Sequence, residues 1–184
     1  DTDQRSIYLY SFATQEKTRL TFPPKTFDGG DLCNAFSPDG SRMAFIRMRS
    51  WLKCDIYTIG VNGDNERQHT FENSHIIDLA WARNGQEIYF TSERSGIQEA
   101  WRLNLHSGLT ERVPGAKGKF ITASPVEDKV IFSSETKHEP DIYRIDNPDS
   151  SQLYSTPVKI VDTSQQDDLP DISPNGNKIV FRSK

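Results

Sequence analysis

FSPDGSRMAFIR, residues 36 to 47, sets a Ser-Pro-Asp-Gly turn before a run that alternates apolar and polar residues. Nearly the same phrase returns as WARNGQEIYFTS at 81–92 and ISPNGNKIVFRS at 172–183. A degenerate copy, Ser124-Pro125-Val126-Glu127, precedes VIFSS at 130–134. The turns Ser37, Ala82, Ser124 and Ser173 start 45, 42 and 49 residues apart, a spacing that marks an internal repeat.

The rest of the repeat follows from these anchors. A third run after each turn reads DIYTI (55–59), EAWRL (99–103) and DIYRI (141–145), with a fourth copy, SIYLY (6–10), at the start of the chain. A weaker fourth run reads TRLTF (18–22), RQHTF (67–71), TERVP (110–114) and VKIVD (158–162). LCNAF (32–36), IDLAW (77–81), FITA (120–123) and LPDI (169–172) supply a first run ahead of each turn. Short runs of Val, Ile, Phe, Tyr and Trp with period two, bounded by Gly, Pro, Asn and Asp, predict half-buried strands. Asp39-Gly40 and Asn84-Gly85 predict hairpins of the type I′ kind, in which both central residues take positive φ. Glu127 replaces the glycine in the third copy, which predicts a longer turn leaning on Asp128. No segment holds helical periodicity over ten residues.

The fold class expected is therefore all-β, a β-propeller of four-stranded antiparallel blades in about four repeat units. The units run 27–71, 72–117 and 118–165, with 1–26 and 166–184 together supplying the strands of a fourth. One blade cannot bury both faces, whereas stacked blades can. Tyr8, Tyr57, Trp101 and Tyr143, equivalent in the third run, are expected to pack between blades, and Phe36 and Trp81 to be core residues. The ends could close a four-bladed ring, belong to a larger propeller, or pair with a second copy through open strand edges. Of these, part of a larger propeller is the expectation.

F-S-P-D-G-S-R-M-A-F, followed by D-I-Y-T-I and N-G-D-N-E-R-Q-H-T, resembles the WD40-like repeat of the TolB family of periplasmic propeller proteins. Similar repeats form the sensor-like regions of membrane-anchored winged-helix transcriptional regulators of the CadC type. R-L-T-F-P-P-K-T-F-D-G-G-D (19–31) and the unit ending D-I-Y-R-I-D resemble that group most. Similar repeats also form the propeller domains of prolyl-oligopeptidase-like peptidases. The resemblance implies a binding or sensing module, a protein partner or small ligand, and a periplasmic or otherwise extracytoplasmic setting, with a cytoplasmic one as the alternative.

Composition limits the functions available. At 184 residues with 34% hydrophobic and 26% charged residues, the chain suits thin strands with one wet face. A net charge of −4 with scattered basic residues argues against nucleic-acid contact. No run approaches 18 apolar residues, so no membrane insertion is expected of this segment. The chain begins at Asp1 without Met, as a mature form or an excised segment would. Cys33 and Cys54 are either two thiols or one disulfide between neighbouring strands.

Catalytic signatures are absent from the sequence. There is no G-x-S-x-G elbow, no H-E-x-x-H and no phosphate loop, and His69, His75, His106 and His138 fall at separate points of the repeat. The expectation is no enzyme, no cofactor and no metal. The alternative is the propeller part of a peptidase, or of a propeller hydrolase or lyase. Two groups of residues are candidate sites. The loop from Arg47 to Lys53 carries Trp51 among basic residues, Arg49 and Lys53 with it, so that Trp51 either anchors a partner or covers the edge of its own blade; the stretch 135–140 is a second contact loop. Asp31, Asp78, Asp167, Asp168 and Asp171 begin or lie in first strands, which line a propeller's channel. Converging carboxylates there would suit a channel Ca²⁺.

Overall fold

The computed structural model describes residues 4–134, 140–146 and 156–184. Strands and turns account for all regular structure among them, and every paired strand in the sheets is antiparallel to its neighbour. The chain divides into two compact units, residues 1–76 and 77–184.

In the first unit, β1 (Tyr8–Tyr10) pairs with β2 (Lys17–Arg19). A four-stranded meander follows: β3 (Gly30–Phe36), β4 (Arg42–Ser50), β5 (Lys53–Gly60) and β6 (Arg67–Gln68). The period-two runs land in register, so Phe45 faces Tyr57 and Met43 faces Ile59 across β4–β5. Those four residues close over Ile7 and Leu20 from the β1–β2 region to form one core. Phe45 and Tyr57 stack with ring centroids 5.6 Å apart.

The second unit carries a seven-stranded sheet: β7 (Ile76–Trp81), β8 (Glu87–Ser92), β9 (Glu99–Asn104), β10 (Thr110–Ala123), β11 (Lys129–Ser134), β12 (Asp141–Asp146) and β13 (Val158–Val161). β10 is long because it closes one meander through residues 110–117 and opens the next through 118–123, with register shifts on both sides of that junction. The core packs Tyr89, Ala100 and Val113 of the first meander against Ile121, Val130, Phe132 and Ile145 of the second. Phe132 and Tyr143 repeat the stacked pair of the first unit, at 5.9 Å. β14 (Asp167–Ile172) and β15 (Ile179–Ser183) complete the unit as a hairpin. The strands expected to supply a fourth set thus form two two-stranded sheets, one in each unit.

The turns differ from expectation in kind and keep one length. In three copies the chain closes through Gly40 N–H to Ser37 O, Gly85 N–H to Ala82 O and Gly176 N–H to Ser173 O. Only the glycine has positive φ, at 69°, 64° and 73°, so these are turns followed by a left-handed glycine and not type I′ pairs. Pro at the second position, with φ locked near −65°, suits this arrangement. The glycine-free copy is no longer than the rest: Ser124 N–H reaches Lys129 O across the span by which Ser37 N–H reaches Arg42 O. There the Ser124 hydroxyl accepts the N–H groups of Val126 and Glu127, closing the turn without a residue at positive φ.

Three further expectations are sorted by burial. Trp81 is buried at 6% exposure, whereas Phe36, its counterpart, is 53% exposed and is not a core residue. Among the third-run aromatics Tyr57 is buried, Trp101 and Tyr143 are half-buried, and Tyr8 is exposed. Cys33 and Cys54 are not joined: Cys33 is exposed on β3, and Cys54 is buried on β5.

Candidate functional site

The hairpin between β4 and β5 turns in two residues, Trp51 and Leu52, beyond the last pair Ser50–Lys53. Leu52 takes φ 62°, a left-handed conformation that costs a branched side chain about 1 kcal/mol or more. Both tip residues face solvent, Trp51 at 79% exposure. A two-residue hairpin calls for positive φ in its turn, but it does not call for apolar residues there in place of glycine or asparagine.

Beneath Trp51 lies a cleft of about 550 Å³. Met48 forms its wall, and Gln4, Arg5, Lys25, Phe27, Asp28 and Gly29 line the remainder. Gln4 braces this lining, its Nε2 donating to the carbonyl oxygens of Lys25, at 2.7 Å, and Phe27. Asp28 N–H donates to Arg49 O, and the Arg49 guanidinium lies 5.2 Å from the Phe27 ring centre. Two glycines allow the close approach. A Cβ on Gly29 would overlap Met48, and one on Gly30, at φ 74°, would stand 2.4 Å from the Arg5 carbonyl oxygen. In a chain of net charge −4, Arg5 and Lys25 line the cleft while Arg49 and Lys53 flank Trp51 on the hairpin, and none of the four forms a salt bridge among the described residues. Asp28 is the one carboxylate of the lining.

Of the residues singled out in the sequence, Trp51, Arg49 and Lys53 therefore share one hairpin end, and Trp51 lines the cleft. Gln4, Arg5, Lys25 and Asp28 escaped sequence reasoning because they join Trp51 only through the approach of residues 4–5 and 25–29 to the hairpin. The Gly29-Gly30 pair in the quoted 19–31 stretch was the available signal. Of the other proposed contact loop, 135–139 lies outside the described residues, as does His138.

Each of the five aspartates has its own partners within its unit. Asp31 is buried and gripped by Arg47, with Nε to Oδ1 at 2.6 Å and Nη2 to Oδ2 at 2.9 Å, so it does not face channel water. Burial opposes the charge on Arg47, yet its hydrogen bonds to Asp31 and Glu66 outweigh that and raise its pKa further. Asp168 is held by Arg182 through two bonds, at 2.7 and 2.6 Å. Asp78 accepts the N–H groups of Leu79 and Ile121, and burial pushes its carboxyl up to about 6 despite those donors. Asp167 is buried on the Thr163 hydroxyl at 2.7 Å, and Asp171 accepts its neighbour's N–H from Ile172. No group of three or more His, Cys, Asp or Glu among the described residues is placed to hold a metal ion.

The turn serines use their hydroxyls to hold the turns, Ser37 accepting from Arg42 N–H and Ser173 from Lys178 N–H. His69 meets Thr58 Oγ1 at 2.8 Å; burial, with Arg67 and Arg42 nearby, pushes its pKa down to about 4.

Residues 1–184 match the TolB beta propeller domain family over their whole length. An uncharacterized protein of Agrobacterium fabrum is 30% identical over 103 residues, which are 55% of this chain and 35% of that protein. The crystal structure of TolB from Acinetobacter baumannii is similar with a TM-score of 0.77 at 18% identity, over 96% of this chain and 42% of that one. A TolB-type structure from Agrobacterium tumefaciens is similar with a TM-score of 0.78 at 22% identity, over 96% of this chain and 62% of that one. The chain thus spans less than two thirds of each of these relatives. It belongs to the TolB beta propeller domain family.

Proposed function

We propose, from the premise that the chain is a TolB beta propeller domain, that it is a non-catalytic binding module whose Trp51 cleft receives an acidic segment of a protein partner. What carries this reading is an exposed tryptophan on a strained hairpin tip, beside four basic side chains that form no salt bridge among the described residues. Trp and Arg are the side chains that most often dominate interface energetics, and unpaired cations steer an oppositely charged partner. The cleft lining pairs no nucleophile with a base, which favours binding over bond breaking.

The finer form of the proposal follows the repeat's resemblance. The setting is periplasmic or otherwise extracytoplasmic, and the module is the sensor region of a transcriptional regulator. In the same reading 27–71, 72–117 and 118–165 are blades, and 1–26 and 166–184 supply strands of further ones.

The test is a fluorescence titration with a glutamate-rich peptide and a lysine-rich peptide of equal length. The acidic peptide is expected to give a saturable change that added salt weakens, and the basic one none. Trp51→Ala should abolish the change, and Arg49→Glu with Lys53→Glu should weaken it about tenfold or more. Equal response to both peptides, or a response untouched by Trp51→Ala, overturns the reading.

A further inference from the structure

A second pocket, of about 440 Å³, lies in the other unit and is lined by Glu93, Gly96, Ile97, Gln98 and Lys117. Gln98 is only 8% exposed, yet neither Nε2 nor Oε1 has a hydrogen-bond partner among the described residues. A buried amide whose two polar atoms find no partner in the protein costs stability unless a bound group satisfies them. The hydroxyl of Ser95, three residues before Gln98, is engaged elsewhere: it donates to Glu99 Oε2 at 2.8 Å and to Ile97 O at 3.3 Å.

The fold does not require this amide. The main chain of Gln98 performs a repeated task, its carbonyl accepting Gly118 N–H at the start of a first strand. Arg5 O does the same for Asp31 N–H, and Pro140 O for Asp167 N–H. Proline at the equivalent point shows that the repeat needs only the carbonyl, so the Gln98 side chain is free to serve the pocket. Gly96 borders open space, for a Cβ added there meets no atom within 4 Å. Ile97, 48% exposed, offers an apolar wall.

We propose that this pocket binds a peptide unit, the N–H and C=O of a secondary amide pairing with Oε1 and Nε2 of Gln98. The side-chain chemistry selects this ligand. An anion would satisfy Nε2 and be repelled by Oε1, and a cation would do the reverse. Only a neutral group that both donates and accepts completes the pair. The lining adds one carboxylate, Glu93, and one ammonium, Lys117, so it favours neither net charge. Its volume is in the range of small-ligand sites. The inference goes beyond the binding role proposed above and shares no residue with the Trp51 cleft, so the two fail separately.

The experiment follows backbone and Gln98 side-chain amide resonances of the whole chain during titration with N-methylacetamide. Methyl acetate, the ester that lacks the N–H, and a tetra-alanine peptide are run in parallel. Saturable shifts at Gln98, Gly96 and Lys117 with the amide, and binding about tenfold weaker or worse with the ester, are expected. Binding of the tetrapeptide as well identifies a protein segment as the source; binding of the small amide alone identifies a free ligand. Gln98→Leu should lose the response while raising the melting temperature, because it removes the unpaired amide. No shift with the amide, equal shifts with the ester, or shifts unchanged in Gln98→Leu overturn the proposal.

Discussion

Arg47 and Asp31 face each other across β3 and β4 and are joined by two parallel hydrogen bonds inside the first unit, with both side chains almost wholly buried. The same guanidinium reaches Glu66 at 2.7 and 3.0 Å and lies 4.6 Å from the Tyr57 ring centre. Planar, forked and always charged, arginine can serve two carboxylates and a ring at once, which lysine cannot.

Arg47→Met is therefore expected to cost about 3–5 kcal/mol, because it strands a buried carboxylate. Arg47→Met with Asp31→Leu should recover much of that loss. Denaturant unfolding of the single and double variants is the measurement. A double variant as unstable as the single one would show that packing, and not the uncompensated charge, sets the cost.

Trp81 and Phe36 stand at the same point of the repeat and should respond differently. Trp81→Ala should destabilise by about 3–5 kcal/mol, typical of an emptied aromatic core site. Phe36→Ala, at an exposed position, should stay within about 0.5 kcal/mol. Equal losses in urea melts would contradict the burial seen here.

His69 and Asp78 give opposing pH dependences. His69 has a pKa of about 4 in the fold against an ordinary 6.5, so the unfolded chain binds the extra proton and stability falls as pH drops through that window. Asp78 is raised from 3.8 to about 6, so the folded chain binds the extra proton and stability falls as pH rises between those values. Asp78→Asn removes the second slope. Its melting temperature should climb more steeply from pH 4 to 6.5 than that of the parent chain; parallel curves would rule out the raised carboxyl.

Calcium should leave the melting temperature unchanged at millimolar concentration. Asp31 and Asp168 are each neutralised by an arginine, and no three candidate ligands gather among the described residues. A concentration-dependent rise would mean that the carboxylates do converge on a cation.

The repeat itself was legible in the sequence because strand and turn signals are local. Alternation sets which face of MAFIR or VIFSS is buried, and Ser-Pro-Asp-Gly bends the chain with its own atoms. The hairpin carrying Arg49, Trp51 and Lys53 could be located in the same way, though not the cleft under it.

Exposure, partnership and cavities were decided only by the tertiary structure. Nothing near Asp31 in the chain announces that Arg47 will neutralise it, and nothing near Phe36 distinguishes it from Trp81. Gln98 looks like any polar loop residue until folding buries its amide with no partner for either polar atom among the described residues. Local steric rules write the strands, whereas a side chain's environment depends on residues that meet it from distant parts of the chain.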